Sequence, residues 1–259
     1  MEATPILGTD RAAGPFFSPD GRWIGFSAED GSLSKVALSG GAPVKLHAQA
    51  GRGASWGPDG EIVFTIGARA GLWRVSSDGG EPEPLTTPDR SRGEKTHRFP
   101  DVLPDGSAVI FTIGSAAIET FDDTHIAVVS LVTGEQKVLI KGGFHARFVP
   151  PRHLVYARDG SLLAIAFDAK RLEVVGSPTP VVDDVFMSPS YGHAEFSVSL
   201  DGSLAWVPGG ARGNNRRVAW VDRKGVAETI VDGTRTATAR LSPDGERLAI
   251  WMEGANDKV

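Results

Sequence analysis

Ser18-Pro19-Asp20-Gly21 recurs along the chain as Gly57-Pro58-Asp59-Gly60, Leu103-Pro104-Asp105-Gly106, Leu200-Asp201-Gly202 and Ser242-Pro243-Asp244-Gly245. The aspartates lie 39, 46, 96 and 43 residues apart. The long gap is close to two ordinary intervals, so one copy has decayed between Asp105 and Asp201. The 224 residues from Asp20 to Asp244 make about 45 per interval over five intervals. That period, with turn residues between apolar runs, marks an array of β-propeller blades. The phrase itself is turn chemistry: proline fixes φ, aspartate accepts backbone N–H bonds, and glycine takes positive φ.

Working outward, Gly14 to Phe17 reads as an inner strand, Arg22 to Ser27 as the second, Leu33 to Leu38 as the third and Pro43 to Leu46 as the fourth. Apolar Phe17, Trp56, Val102, Val198 and Leu241 stand three residues before each aspartate; Ile24, Val63, Val109, Ala205 and Leu248 stand four after. Second strands such as Ile62-Val63-Phe64 are apolar on both faces, as a sheet sandwiched between neighbouring sheets requires. Blades are predicted over 10–46, 52–86, 97–140, 145–182, 193–231 and 239–259, the last completed by 1–8. The third carries an insertion at Ser115–Asp123. In the fourth, Pro150-Pro151-Arg152-His153 replaces the turn.

The expected architecture is therefore an all-β, six-bladed propeller of four-stranded antiparallel blades. One blade is split between the termini and incomplete. Thr4–Leu7 is expected to pair with the sheet built from Arg240–Met252, which removes exposed edges. Should the ring stay open, its edges would favour a homodimer. Thr4-Pro5-Ile6-Leu7 matches the last strand of a blade, and Asn256–Val259 stops where a third strand begins, so the chain reads as a piece of a longer one.

Composition narrows the function. Gly 32 and Pro 17 in 259 residues favour short strands and turns over helices. A net charge of −5 gives no reason to expect nucleic acid, which needs clustered positive charge. Cysteine is absent, which removes disulfides, thiolate metal sites and cysteine nucleophiles together. No run reaches the roughly 20 apolar residues of a membrane span, and Met1–Pro5 lacks the basic and apolar regions of a signal peptide.

The candidate site is the channel mouth. His97 and His193 each stand eight residues before a turn aspartate, and His145-Ala146-Arg147-Phe148 aligns with His193-Ala194-Glu195-Phe196 if the fourth blade's turn is two residues shorter. Three imidazoles on successive blades suit zinc, with an open coordination position. The bland alternative is that they bond loop backbone or line a wet channel. Arg52, Arg98, Arg147, Glu195 and Arg240 stand at the same ends of inner strands, a mostly cationic funnel suited to a carboxylate or an acidic peptide terminus. Arg212, Arg216, Arg217, Arg223 and Lys224 form the densest basic stretch and read as a solvated loop.

The stretch Phe17–Phe26 resembles the WD40-like (PD40) repeat of TolB-type propellers. Gly93–Pro100, Leu154–Ala164, Phe167-Asp168 with Arg171-Leu172-Glu173, and Ala194–Ser199 resemble the propeller half of bacterial eukaryotic-like Ser/Thr protein kinases. That resemblance implies a sensor or protein-interaction module on an extracytoplasmic or periplasmic face. The chain has no kinase Gly-rich loop, His-Arg-Asp or Asp-Phe-Gly motif, and no Gly-x-Ser-x-Gly elbow of the peptidases that carry similar propellers. The leading expectation is a non-enzymatic module, without cofactor, that binds a protein, a peptide or a small ligand through Arg52, His97, Arg98, His145, Arg147, His193 and Glu195. One alternative is a metal-dependent hydrolase or lyase, with zinc as the metal, using His97, His145 and His193 at the channel mouth. Another is the gating propeller of a prolyl-oligopeptidase-like peptidase.

Overall fold

The computed structural model describes residues 4–115, 121–188, 192–209, 216–221 and 226–253. Within them the chain is a β-propeller whose sheets each run in sequence order from an inner strand outward. The first blade comprises Ala13–Phe17, Trp23–Ser27, Leu33–Ala37 and Val44–His47; the second Ala54–Trp56, Glu61–Thr65, Leu72–Ser76 and Glu83–Pro84. The third comprises Glu94–Val102, Ala108–Ser115, His125–Ser130 and Gln136–Lys141; the fourth Phe144–Val149, His153–Arg158, Ser161–Asp168 and Glu173–Val182. The fifth has Phe196–Val198, Leu204–Trp206, Arg216–Val221 and the first half of Ala227–Leu241, whose second half runs on to pair with Leu248–Glu253.

This corrects the expected blade count. Five four-stranded blades are complete among the described residues, and the sixth position holds the two-stranded hairpin 235–241 with 248–253. Thr4–Leu7 forms no strand and Leu7 is 82% exposed. Thr9 Oγ1 donates to Ile6 O at 2.8 Å, which holds the segment in a turn. The hairpin closes the ring instead. Ala249 packs with Ala12, Ile24, Phe26 and Val36 of the first blade, and Leu248 and Ile250 pack against Val207 and Val218 of the fifth. Asn256–Val259 lies outside the described residues, as do most of the Ser115–Asp123 insertion and the basic loop around Arg212.

The core lies between blades. Val109, Ile110 and Phe111 of one second strand are completely buried, one face against each neighbour. At the repeated turn, Ser18 Oγ donates to Asp20 Oδ1 at 2.6 Å, the same oxygen accepts the Arg22 N–H at 3.0 Å, and Ser18 Oγ accepts the Trp23 N–H at 2.9 Å. Ser242 and Asp244 repeat the arrangement. The serine hydroxyls hold both carboxyls below the ordinary aspartate range. A second repeated bond ties blade to blade: Ser55 Oγ accepts the Val102 N–H at 3.0 Å, Asp101 Oδ2 the Phe148 N–H at 2.7 Å and Ser197 Oγ the Leu241 N–H at 2.9 Å. Ser55, Asp101 and Ser197 each stand four residues before a turn aspartate.

Candidate functional site

In the first, third and fourth blades the inner strand skips register, between Ala13 and Phe16, between Arg98 and Asp101, and between Phe144 and Arg147. That skip decides where the predicted site residues fall. In the third blade Asp101 pairs with Ile110 and Arg98 with Thr112; in the fourth, Arg147 pairs with Val155 and Phe144 with Ala157. Arg147 therefore occupies the place of Asp101, and His145 that of Phe99. The expected equivalence of His145 with His97 and His193 is shifted by two residues, because the fourth blade's turn carries no Pro-Asp-Gly phrase from which to count.

The three imidazoles do not converge. His97 is fully buried; its Nδ1 lies 2.7 Å from Thr86 Oγ1 and its Nε2 3.2 Å from Glu94 Oε2. Burial lowers its pKa, and the Glu94 carboxylate opposes that. His145 is also buried, with Nδ1 accepting the Ala194 N–H at 3.1 Å and Nε2 lying 3.2 Å and 3.4 Å from the Nη2 atoms of Arg147 and Arg240. Desolvation first, then these two guanidiniums, holds it well below the ordinary histidine value. A metal ion needs a free nitrogen lone pair on each ligand, and on His97 and His145 the polar neighbours already take both nitrogens. No three His, Asp or Glu side chains among the described residues surround a point that would hold a cation.

What the fold does assemble is a cavity of about 510 Å³ against the inner strands, with Arg52, Gly53, Phe99, His193 and Arg240 in its wall. His193 and Glu195 form a pair, Nε2 to Oε1, at 2.6 Å. The imidazole is 22% exposed and the carboxylate 1%. Glu195 Oε2 is buried without a hydrogen-bond partner among the described residues. A buried carboxylate oxygen left unsatisfied is costly, and native proteins keep few such groups outside functional sites.

Guanidiniums stand on the inner strands of neighbouring blades. Arg147 Nη1 reaches back one blade to Asp101 Oδ1 at 3.0 Å and Pro100 O at 2.9 Å. Arg240 makes the same reach, with Nη1 on Phe196 O at 3.2 Å, and also donates to Ala239 O at 2.8 Å. Burial, and then Arg147, pulls Arg240 down to about 9; burial, and then Arg52, pulls Arg98 down to about 10, so both stay charged at neutral pH. Arg98 lies over the Phe121 ring at 5.2 Å.

Of the predicted residues, Arg52, His193 and Arg240 line the cavity; Glu195, His145 and Arg147 do not, and His97 is tied to the second blade through Thr86. Two residues outside the predicted set matter. Phe99 lies between the rings of His145 and His193, at centroid distances of 4.7 Å and 6.3 Å. Asp101 balances Arg147. The signal for Phe99 was available, since it stands six residues before Asp105, where the first two blades place Gly14 and Gly53.

No protein-family description matches the sequence, and no curated protein matches it. Solved structures do match in fold. A calcium-binding regucalcin from Agrobacterium tumefaciens is 17% identical, with 95% of this chain and 82% of that one covered and a TM-score of 0.64. A luciferin-regenerating enzyme is 10% identical over 94% and 84%, with a TM-score of 0.68. An oligogalacturonate lyase in complex with manganese is 15% identical over 94% and 71%, with a TM-score of 0.59. These likenesses support the propeller and give no support to the narrower TolB-type or kinase relation. They also correct the expectation of a non-enzymatic sensor. Two of the three are named as enzymes, so the absence of a familiar catalytic motif from a propeller sequence does not argue against catalysis.

Proposed function

We propose that the chain is an enzyme, a hydrolase or a lyase, whose reaction runs in the cavity beside His193. The observation that carries this reading is the His193–Glu195 pair: a partly exposed imidazole held at 2.6 Å by a buried carboxylate. In that arrangement His193 takes a proton from substrate or water and returns it to the leaving group, while Glu195 fixes the ring and favours the imidazolium that forms. Arg240 and Arg52 supply positive charge where an oxyanion or enolate develops, inside walls that keep solvent from screening it. Enzymes among the solved propellers lend the reading further support.

The expected zinc site on His97, His145 and His193 is no part of this reading, because His97 and His145 have their nitrogens turned to other partners. We also keep the TolB-type description of the repeat and its six ring positions as our reading; the Ser18–Asp20 geometry recurring at Ser242–Asp244 supports it.

The test is turnover by the purified chain on a panel of esters, lactones, amides and uronate oligomers. Turnover that His193→Ala abolishes is expected. No turnover across the panel, or turnover that His193→Ala leaves unchanged, overturns the proposal.

A further inference from the structure

The cavity beside His193 is built from two unlike parts. Phe16, Leu33 and Phe64 belong to one packed cluster between the first and second blades, and all three line the cavity. Phe99 adds a further ring to the wall, 6.3 Å from the His193 ring. Among the lining residues, the polar side chains are those of Ser27, Arg52, His193 and Arg240. A space of about 510 Å³ with so few polar side chains suits a ligand that is mostly hydrocarbon. A sugar would bring several hydroxyls that lose water here without gaining partners.

The charged side chains of this wall already have partners within the protein. His193 is held by Glu195 at 2.6 Å. Arg240 donates to Phe196 O and Ala239 O, and the nearby Glu195 and Asp101 both favour its charged form. Arg52 is engaged as well. An ionised ligand would give up its water against aromatic and aliphatic carbon, where the charges present are already answered.

Room for the ligand comes from the backbone. Gly14 lies in the wall at φ 59°, and a Cβ there would meet no atom within 4 Å. The third blade puts Phe99 at the corresponding place, six residues before its turn aspartate. Glycine in the first blade therefore leaves open a volume of the kind that a ring fills in the third.

We infer that the cavity takes an uncharged substrate with an aromatic or aliphatic body, seated on Phe16, Leu33 and Phe64 with its polar end at His193, and that Gly14 sets the size of that body. The inference rests on the cavity being the site of reaction, and names the class of substrate for it.

Calorimetric titration of the folded chain tests this with phenylpropanol, phenylpropionate and galactose as probes. Phenylpropanol should bind saturably, phenylpropionate about tenfold more weakly and galactose more weakly still. Gly14→Asn, which tolerates the left-handed backbone, should keep the melting temperature near wild type and weaken phenylpropanol about tenfold. If that variant does not fold, Ala68→Leu on the exposed rim carries the same comparison. No saturable binding of phenylpropanol overturns the inference. So does binding of phenylpropionate or galactose as tight as that of phenylpropanol, or phenylpropanol binding that the folded variant leaves unchanged. His193→Ala keeps the two readings apart. Phenylpropanol binding weakened by Gly14→Asn, with turnover lost in His193→Ala, supports both. Turnover lost in His193→Ala, with phenylpropionate or galactose preferred, sinks the inference and leaves the acid–base pair standing. Turnover unchanged in His193→Ala, with the preference for phenylpropanol and its dependence on Gly14 intact, does the reverse.

Discussion

Phe99 and His145 share one backbone conformation, φ 52° and 51°, at the same inner-strand position of neighbouring blades. The first two blades put Gly14 and Gly53 there, at φ 59° and 92°. Left-handed backbone is free for glycine and strained for side chains. Two blades therefore accept strain to place an aromatic ring and an imidazole at the back of the cavity, while two others keep the space open.

Gly53→Ala tests that division. A methyl on Gly53 would meet Phe99 Cα at 2.9 Å and its ring at 3.0 Å, besides adopting left-handed φ. A loss of about 2 kcal/mol in unfolding free energy is expected, measured by urea titration, together with weaker binding of any cavity ligand. Wild-type stability in this variant would mean that the inner strand of the second blade is not held as described.

Glu195→Gln should cut kcat by about 10²–10⁴ with little change in KM, because the ring loses its anionic partner but keeps an acceptor. The fold should not suffer, since Gln Oε1 still accepts from His193 and the buried charge with one unpartnered oxygen is gone. A melting temperature at or above wild type checks the second half. A fall of many degrees would show that the carboxylate is structural.

His145 sets a pH dependence of known sign. Its folded pKa lies well below the ordinary value of 6.5, through burial and the nearby Arg147, Arg240 and His193. Between that lowered value and 6.5 the unfolded chain binds the extra proton, so stability rises with pH through this window and is complete above it. Moving from about pH 7.5 to about 5.5 should cost on the order of 1 kcal/mol. His145→Asn, which tolerates left-handed φ, should flatten the slope. His97 is lowered in the same direction and leaves a residual slope. Stability that rises on acidification would contradict the buried, neutral assignment.

Asp20→Ala removes acceptors for the Ser18 hydroxyl and the Arg22 N–H. About 1 kcal/mol of stability should go with them, while ligand affinity stays at its wild-type value. Lost affinity with an unchanged melting temperature would make the turn a ligand group.

The propeller was legible because its turn phrase is local: Ser18, Asp20 and Gly21 act within five residues, and the spacing of the copies counts the repeats. The sixth position was misread because the match of Thr4–Leu7 to a blade's last strand is composition, whereas the Thr9 hydroxyl bond to Ile6 O folds the segment into a turn. Arg52 and His193 could be placed at the cavity by counting back from Asp59 and Asp201. His145 could not, since Pro150-Pro151 removes the reference point and a register skip turns a side chain from the channel into the wall. Whether His97 was free to bind metal depended on Thr86, eleven residues earlier and on another blade, a tertiary contact with no local signature.

The bond repeated from Ser55 to Val102, from Asp101 to Phe148 and from Ser197 to Leu241 has a mechanical corollary. In an open row of repeats each unit leans on its neighbours in one line, and a broken link divides the row. A closed ring offers every unit a second load path. Ser55→Ala alone would then cost little, with the strain shared around the circuit; combined with Ser197→Ala it should cost more than the sum, because two breaks divide a ring into arcs. Tolerance of single lesions and intolerance of pairs is the behaviour that closure confers on this chain.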